Sequence, residues 1–437
     1  MKKYKVYLGS CAEYSAEKVT ALINDAFEKG VFTTKPFGKV VIKPNLVMAH
    51  PKVATESFTR KEVIEGILNF VNHHNEVEKI SICEKSGLGV TTSTMFRHAG
   101  YYRLQKKYPV KCCAMEERKK ARIVLNRGRI HNHLTISREM ADRDFLVFAP
   151  KLKSNVLSHA ISGALKLNIG TIDGRERMHH HHRDLPDKIV DILEIANPDL
   201  IVTDGIRMAF GGNQMTQRGT GLGVIIIADN AVAHDMVCAR LLNLEPFAVD
   251  HINNAIERGY GPDRFEDIDI IGDFEIEKSQ AITSRLDLGF MPVESYKSNL
   301  KIQSGTPCCI GGCQGIFLDW LHMIRDRKPT LLKKLPVLTV LIGRIDEKVS
   351  DKKILLVGDC ACASNIGSYK KIIRIRGCPP SHKRIVWDML VNFFILNPLV
   401  RPSLIIDGFV LYPFKTFKGW VVNLRFKPLW KNRSNAK

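Results

Sequence analysis

Residues 40–47, Val-Val-Ile-Lys-Pro-Asn-Leu-Val, break a β-branched run on a polar turn that opens with Lys43 and Asn45. The same pattern of a short apolar run leaving into charged side chains recurs at 79–87 (KISICEKSG), 145–154 (FLVFAPKLKS) and 200–206 (LIVTDGI). Strands are expected at 40–42, 79–83, 145–148, 200–203, 223–228 and 267–271. Helix-period segments separate them: Val19, Leu22, Ile23, Ala26 and Phe27 share one face, as do Val63, Ile64, Ile67, Leu68 and Val71. Further helices are expected near 187–196, 231–242 and 247–258. Strands alternating with helices predict an α/β fold, a doubly wound, mostly parallel sheet over residues 1–272. In such a sheet the ligand site lies beyond the strand C-termini. The turns after 42, 83, 148, 203 and 228 then gather Lys, Asn, Glu and Asp into a polar pocket suited to a small anionic or zwitterionic ligand.

Outward from this core, residues 273–300 read as a linker or edge element. Residues 301–437 read as a smaller, cysteine-rich α/β unit, with strands at 338–342, 354–357 and 372–375 and helices near 314–326 and 382–394. The chain has 437 residues, 65 basic against 45 acidic, and 45% apolar side chains. That composition excludes wholesale disorder and fibrous classes. Counting residues 301–437 gives 24 basic and 8 acidic side chains, so +16 of the net +20 belongs to the last third. The start, MKKYKVYLGSCAEYS, lacks a signal-peptide apolar core, and the expected location is the cytoplasm. No stretch reaches the roughly 18 apolar residues of a membrane span; residues 385–412 come nearest and leave a peripheral contact open.

Six of the eleven cysteines fall within 71 residues: Cys308, Cys309 and Cys313, then Cys360 and Cys362, then Cys378. All stand in glycine- or proline-marked turns near strand ends or a helix start. Turns and helix N-termini stabilise thiolates, and iron-sulfur clusters accept four thiolates from separate loops. Structural zinc more often takes paired C-x2-C knuckles, which the chain lacks. The reading is therefore an iron-sulfur cluster of the four-iron four-sulfur type held by Cys309, Cys313, Cys360 and Cys378, with zinc less suited. Buried, unliganded thiols are the plain alternative.

In the first unit, Lys43, Asn45 and Lys153 are candidate ligand-binding residues. Lys166, in an otherwise apolar run, is a candidate base or nucleophile once burial lowers its pKa. His182, last of four consecutive histidines, and Asp204, after a strand, complete the candidate catalytic set. No G-x-G-x-x-G after a strand, P-loop, G-x-S-x-G or H-E-x-x-H occurs, which removes the usual support for dinucleotide, nucleotide and hydrolase assignments. In the tail, Phe414, Phe417, Trp420, Phe426 and Trp430 interleave with Lys415, Lys418, Arg425, Lys427, Lys431 and Arg433. This suits packing of the tail on its own unit, docking of an acidic redox partner, or a nucleic-acid or membrane surface.

Taken together, IKPNLV at 42–47, CEKSG at 83–87, the stretch 148–182, VTDGI at 202–206 and ADNAVAHDMVCARLLNL at 228–244 resemble the domain-of-unknown-function family numbered 362 over about residues 1–272. Many members carry a ferredoxin-like C-x2-C-x2-C-x3-C-P run; this chain has a different cysteine pattern instead. The segment 162–182 is also similar to the glycine-lysine-histidine order in the N-terminal domain of lactate racemase, which points to Lys166 and His182. Gly377-Cys378-Pro379-Pro380 resembles a cluster-ligating turn of hydrogenase small subunits. Two functions are the resulting expectations: a redox protein passing electrons from a cluster to a small ligand, or a non-redox isomerase centred on Lys166 and His182. A basic RNA- or membrane-binding module is the third.

Overall fold

The computed structural model describes residues 4–432 apart from Leu88, 156–159, 181–183, Asn213, 291–292, Cys308, 350–352, 368–370, 397–400 and 426–428. The strands are β1 (Tyr4–Ser10), β2 (Gly38–Pro44), β3 (Val77–Glu84), β4 (Val110–Ala114), β5 (Lys120–Val124), β6 (His133–Ser137), β7 (Phe145–Ala149), β8 (Lys151–Asn155) and β9 (Ala160–Ser162). After them come β10 (Leu200–Phe210), β11 (Arg218–Ala228), β12 (Ile268–Gly272), β13 (Leu300–Ser304), β14 (Leu338–Val349), β15 (Lys353–Ile366), β16 (Lys371–Ile375) and β17 (Leu429–Asn432).

The ten-stranded sheet runs β12-β1-β11-β10-β7-β2-β3-β4, with β8 on β10 and β9 on β8. β7 is buried along its whole length, as a central parallel strand covered on both faces must be. Side chains alternate between two cores. Leu146 and Phe148 join the core that contains helices Leu185–Ile195 and Ala231–Leu241. Phe145 and Val147 join the core that contains helices Ala16–Glu28 and Lys61–Asn72. The fold is thus a doubly wound α/β sheet followed by a second, smaller one.

The sheet departs from the sequence pattern in several places. β11 is antiparallel to both β1 and β10, because only residues 211–217 connect it to β10 and so short a link makes a hairpin, not a crossover. β1, which the residue pattern leaves unassigned, pairs with β11 and β12. The polar stretches after 150 and 203, expected as loops, continue as β8 and β10 with Lys151, Lys153 and Asp204 buried. Burial is possible there because the polar groups pair with one another. Residues 273–300 include the helix Ile276–Thr283, stapled to the domain by Ser279 and Thr283 hydroxyls donating to the Leu241 carbonyl.

The second sheet, β13-β14-β15-β16, is parallel at every pairing. Helices Gly315–Arg327 and His382–Phe393 share a core with it that includes Phe317, Trp320, Val340, Val357, Ile385 and Met389. The tail does not remain with this unit. Helix Tyr412–Arg425 and β17 pack against the first unit, where β17 extends the β5-β6 hairpin into a three-stranded sheet. Amphipathic spacing alone carries no information about which unit receives a tail, so the expectation of packing on its own unit is corrected.

Candidate functional site

In the second sheet the register puts Ser304, Ile342, Val357 and Ile375 on one rung across β13 to β16. Just past that rung, at the C-terminal edge, stand Cys309 and Cys313 after β13, Gly343 in β14, Cys360 in β15 and Cys378 after β16. The ladder between β14 and β15 slips beyond the rung, where Gly343 (φ 78°) and Gly358 (φ 99°) hold conformations that favour glycine. At Gly358 a Cβ would lie 2.5 Å from the Cys313 sulfur, so this glycine also leaves room for the thiol. The Asp359 N–H donates to the Gly377 carbonyl (3.0 Å) and the Gly377 N–H to the Asp359 carboxylate (3.0 Å), which locks the Cys360 and Cys378 turns together.

Cys309, Cys313, Cys360 and Cys378 line one small recess together with Pro307, Gly312, Ile342, Gly343 and Pro379. Cys313 is buried at the start of helix Gly315–Arg327, Cys309 partly buried, and Cys360 and Cys378 exposed at the mouth. Burial and the negative charges of Cys360 and Asp359 push the Cys378 thiol up. Among the described residues no disulfide forms. Nor do three His, Cys, Asp or Glu side chains among them close on a single metal ion. Cys362 is half-buried and outside the lining; Cys308 lies outside the described residues.

At the edge of the larger sheet, two buried ion pairs form: Lys43 to Glu84 at 2.8 Å and Lys151 to Asp204 at 3.0 Å. Glu84 also accepts the Leu46 and Lys85 N–H groups. Gly170 passes so close that a Cβ would lie 2.8 Å from both Lys43 Nζ and Glu84 Oε1. Asp204 is fully engaged, accepting from the Tyr14 hydroxyl and the Arg60 N–H besides Lys151. It is the counter-ion of Lys151. The Asn45 amide and the Lys153 ammonium both donate to the Ser57 carbonyl, and Lys153 also to Gln214 Oε1 (2.8 Å).

Lys166 stands on the short turn Ala164–Leu167, set in place by Asp235, which accepts the Ala164 and Leu165 N–H groups at 2.7 and 3.1 Å. Its Nζ is buried and makes no hydrogen bond among the described residues. The Arg177 guanidinium acts on Lys166, and Lys166 in turn acts on the buried imidazole of His251. Burial and the Arg177 guanidinium bring Lys166 down to about 8. Burial, then the charges of Lys166 and Lys151, hold Lys153 at about 7. Burial also lowers Lys43 and Lys151 against the pull of their carboxylates. His182 lies outside the described residues.

The buried ammonium or guanidinium groups of Lys43, Lys151, Lys153, Lys166 and Arg177 thus stand near four carboxylates: Glu84 and Asp204, which pair with Lys43 and Lys151, Asp235, which holds the Lys166 turn, and Glu116, which acts on Arg177. Among the described residues no ion pair reaches Lys153 or Lys166. Buried charge without a counter-charge is costly, and an anion entering here relieves that cost. Lys153 and Lys166 titrate below their unfolded value, so the unfolded chain binds more protons between about pH 7 and 10, and stability rises with pH across that window. Anion affinity runs the other way. Calorimetry with inorganic phosphate is expected to show about tenfold tighter binding at pH 6 than at pH 9, with proton uptake on binding; a pH-independent affinity would contradict the charge assignment. Tyr14, Arg177 and Asp235 carry no local sequence signal for these positions, whereas Glu84 is visible as the acid that ends a strand beside Lys85.

Residues 40–240 match the family described as domain of unknown function (DUF362). That match spans a little under half of the chain. Every lysine of the buried cluster falls within it, and the cysteine recess falls outside it. A thylakoid-associated protein of Synechocystis sp. is 24% identical over 221 residues, covering 49% of this chain and 66% of that protein, just short of two thirds. Among solved structures, the lactate racemase apoprotein of Thermoanaerobacterium thermosaccharolyticum aligns over 78% of this chain and 69% of its own at 11% identity, with a TM-score of 0.37. A structural-genomics protein of Thermotoga maritima aligns over 48% of this chain and 55% of its own at 12% identity, with a TM-score of 0.30.

Proposed function

We propose that the chain is an iron-sulfur protein that couples a cluster in the second sheet to a small anionic ligand in the first unit. The observation that carries this reading is the shared recess of Cys309, Cys313, Cys360 and Cys378. Four thiols from three turns suit a four-iron four-sulfur cluster, whose ligands come from separate loops; zinc suits this donor spacing less. Two of the thiols are exposed at the mouth, as access for an acidic ferredoxin- or flavodoxin-like electron donor requires. A cluster held by these four thiolates would supply one-electron transfer, with the donor approaching the side where Cys360 and Cys378 are exposed.

Helix Gly315–Arg327 supports the coupling. Its N-terminus comes just after Cys313, and at its C-terminus Arg325 donates to the Gly211 carbonyl and Arg327 to the Val53 and Met215 carbonyls. Met215 adjoins Gln214, the partner of Lys153. One helix of about 20 Å thus joins the recess to the lysine cluster. The test is anaerobic reconstitution with iron and sulfide: broad visible absorption that bleaches on one-electron reduction supports the proposal, and a colourless protein after reconstitution contradicts it.

A second reading is favoured by Lys166. A buried lysine near pKa 8 that makes no hydrogen bond among the described residues is suited, as the neutral amine, to take a proton from carbon beside a bound carboxylate and return it as the ammonium, isomerase chemistry that needs no electron. Lys166→Ala is fatal to either function. Cys378→Ala separates them, since it spares an isomerase and abolishes a redox reaction.

A further inference from the structure

The helical segment that leads from Pro402 through Tyr412–Arg425 turns its apolar side away from the protein. Most of its inward contacts are made by polar or small side chains, with Leu404 packed beside Val53 and Met323. Asp407 accepts from the Thr91 N–H (2.8 Å) and from the hydroxyls of Thr91 and Thr94. Lys415 pairs with Glu117, Gly419 lies so close to the Glu116 carbonyl that a Cβ would reach 2.0 Å, and Asn423 bonds the Arg118 carbonyl and the Lys120 N–H. These contacts recur about every fourth residue and fix the helix's rotation. The opposite side presents Ile406, Val410, Phe414, Phe417, Trp420 and Leu424, each more than half exposed. A surface helix ordinarily buries its apolar stripe, and an exposed patch of this kind marks an interaction site.

The patch continues onto helix His382–Phe393 through Lys383, whose ammonium lies 3.6 Å from the Phe409 ring centroid. Trp387, Val391 and Phe394 are exposed there, Phe394 to 89%. Within residues 382–425 the exposed charge has one sign, with Lys415 and Lys418 also pairing with Glu117 of the first unit. Residues 382–425 hold six basic and two acidic side chains, and both acids, Asp388 and Asp407, are buried. Lys383, Arg401 and Lys418 are exposed. A second copy of this chain would present the same cations and gain no complementary charge.

We propose that this face docks on an anionic lipid surface, with the aromatic stripe in the headgroup and acyl boundary and the lysines and arginines on the headgroups. No helix among the described residues is long and apolar enough to cross a membrane, and the inward contacts hold this one in the plane of the surface. The inference is independent of what the cysteine recess binds.

The test uses the full chain and vesicle flotation. Binding is expected to vesicles of phosphatidylcholine with about one third phosphatidylglycerol, to weaken with salt, and to be far weaker on phosphatidylcholine alone. The combined variant F414S/F417S/W420S alters only exposed side chains and should keep the thermal midpoint while losing about tenfold or more in partitioning. Lys383→Gln with Lys418→Gln should weaken binding to the anionic vesicles alone. Absence of binding to anionic vesicles at low salt, or unchanged partitioning of the serine variant, overturns the proposal. So does a concentration-dependent dimer or a single-stranded RNA complex that the serine variant abolishes, with vesicle binding left intact.

Discussion

Protein carrying Cys378→Ala, prepared without oxygen, is expected to lose the visible charge-transfer absorption and most of its iron, while the unfolding midpoint of the first unit stays in place. Cys378 ends a turn that is tied to the Cys360 turn by the paired Asp359 and Gly377 contacts, and it stands at the exposed mouth of the recess. Removing one of four thiolates leaves an iron open to solvent and oxidation. Cys362→Ala is the control: this residue lies outside the recess lining and its loss should leave iron content unchanged. A Cys378 variant with full iron and colour would remove this residue from the ligand set, and equal loss in both variants would point to disruption of the fold.

The second large effect concerns stability. Lys43→Met leaves Glu84 buried without its cation, at a cost of about 3–5 kcal/mol for breaking a buried pair from one side. The Leu46 and Lys85 N–H groups still bond Glu84, which argues for the lower end. The expected fall in the unfolding midpoint is on the order of 10 °C. Lys153→Met, by contrast, removes a buried cation bonded only to neutral oxygens. It should be close to neutral for stability at pH 7, yet should abolish phosphate binding. Urea denaturation of the two variants side by side decides the matter; similar destabilisation by both would contradict the division into paired and unpaired lysines.

The parallel core was legible because its strands are short apolar runs that end on lysine, glutamate or aspartate, and a parallel sheet leaves such runs few alternatives. The turning of β11 was not, because hairpin or crossover is decided by the seven residues 211–217 and not by the strand itself. Lys43, Asn45, Lys153 and Lys166 could be chosen because the strand-end rule selects for position. Their pairing could not: whether a lysine meets Glu84, as Lys43 does, or no carboxylate, as Lys153 and Lys166 do, depends on strands 40 or more residues away. The four cysteines stand out from their neighbours because Cys360 and Cys378 each come three residues after the same rung, beyond Val357 and Ile375, a relation visible once strand ends are assigned. The tail is the opposite case. Its stripe of aromatics is plain in the sequence, but the polar contacts of Asp407, Gly419 and Asn423 are what turn that stripe outward.

Metal and acid-labile sulfide analysis of the wild-type chain, purified without oxygen, tests the central claim most directly. The account predicts about four iron and four labile sulfide per chain, as one four-iron four-sulfur cluster requires. Stoichiometric zinc without sulfide, or protein that retains neither metal, would contradict it.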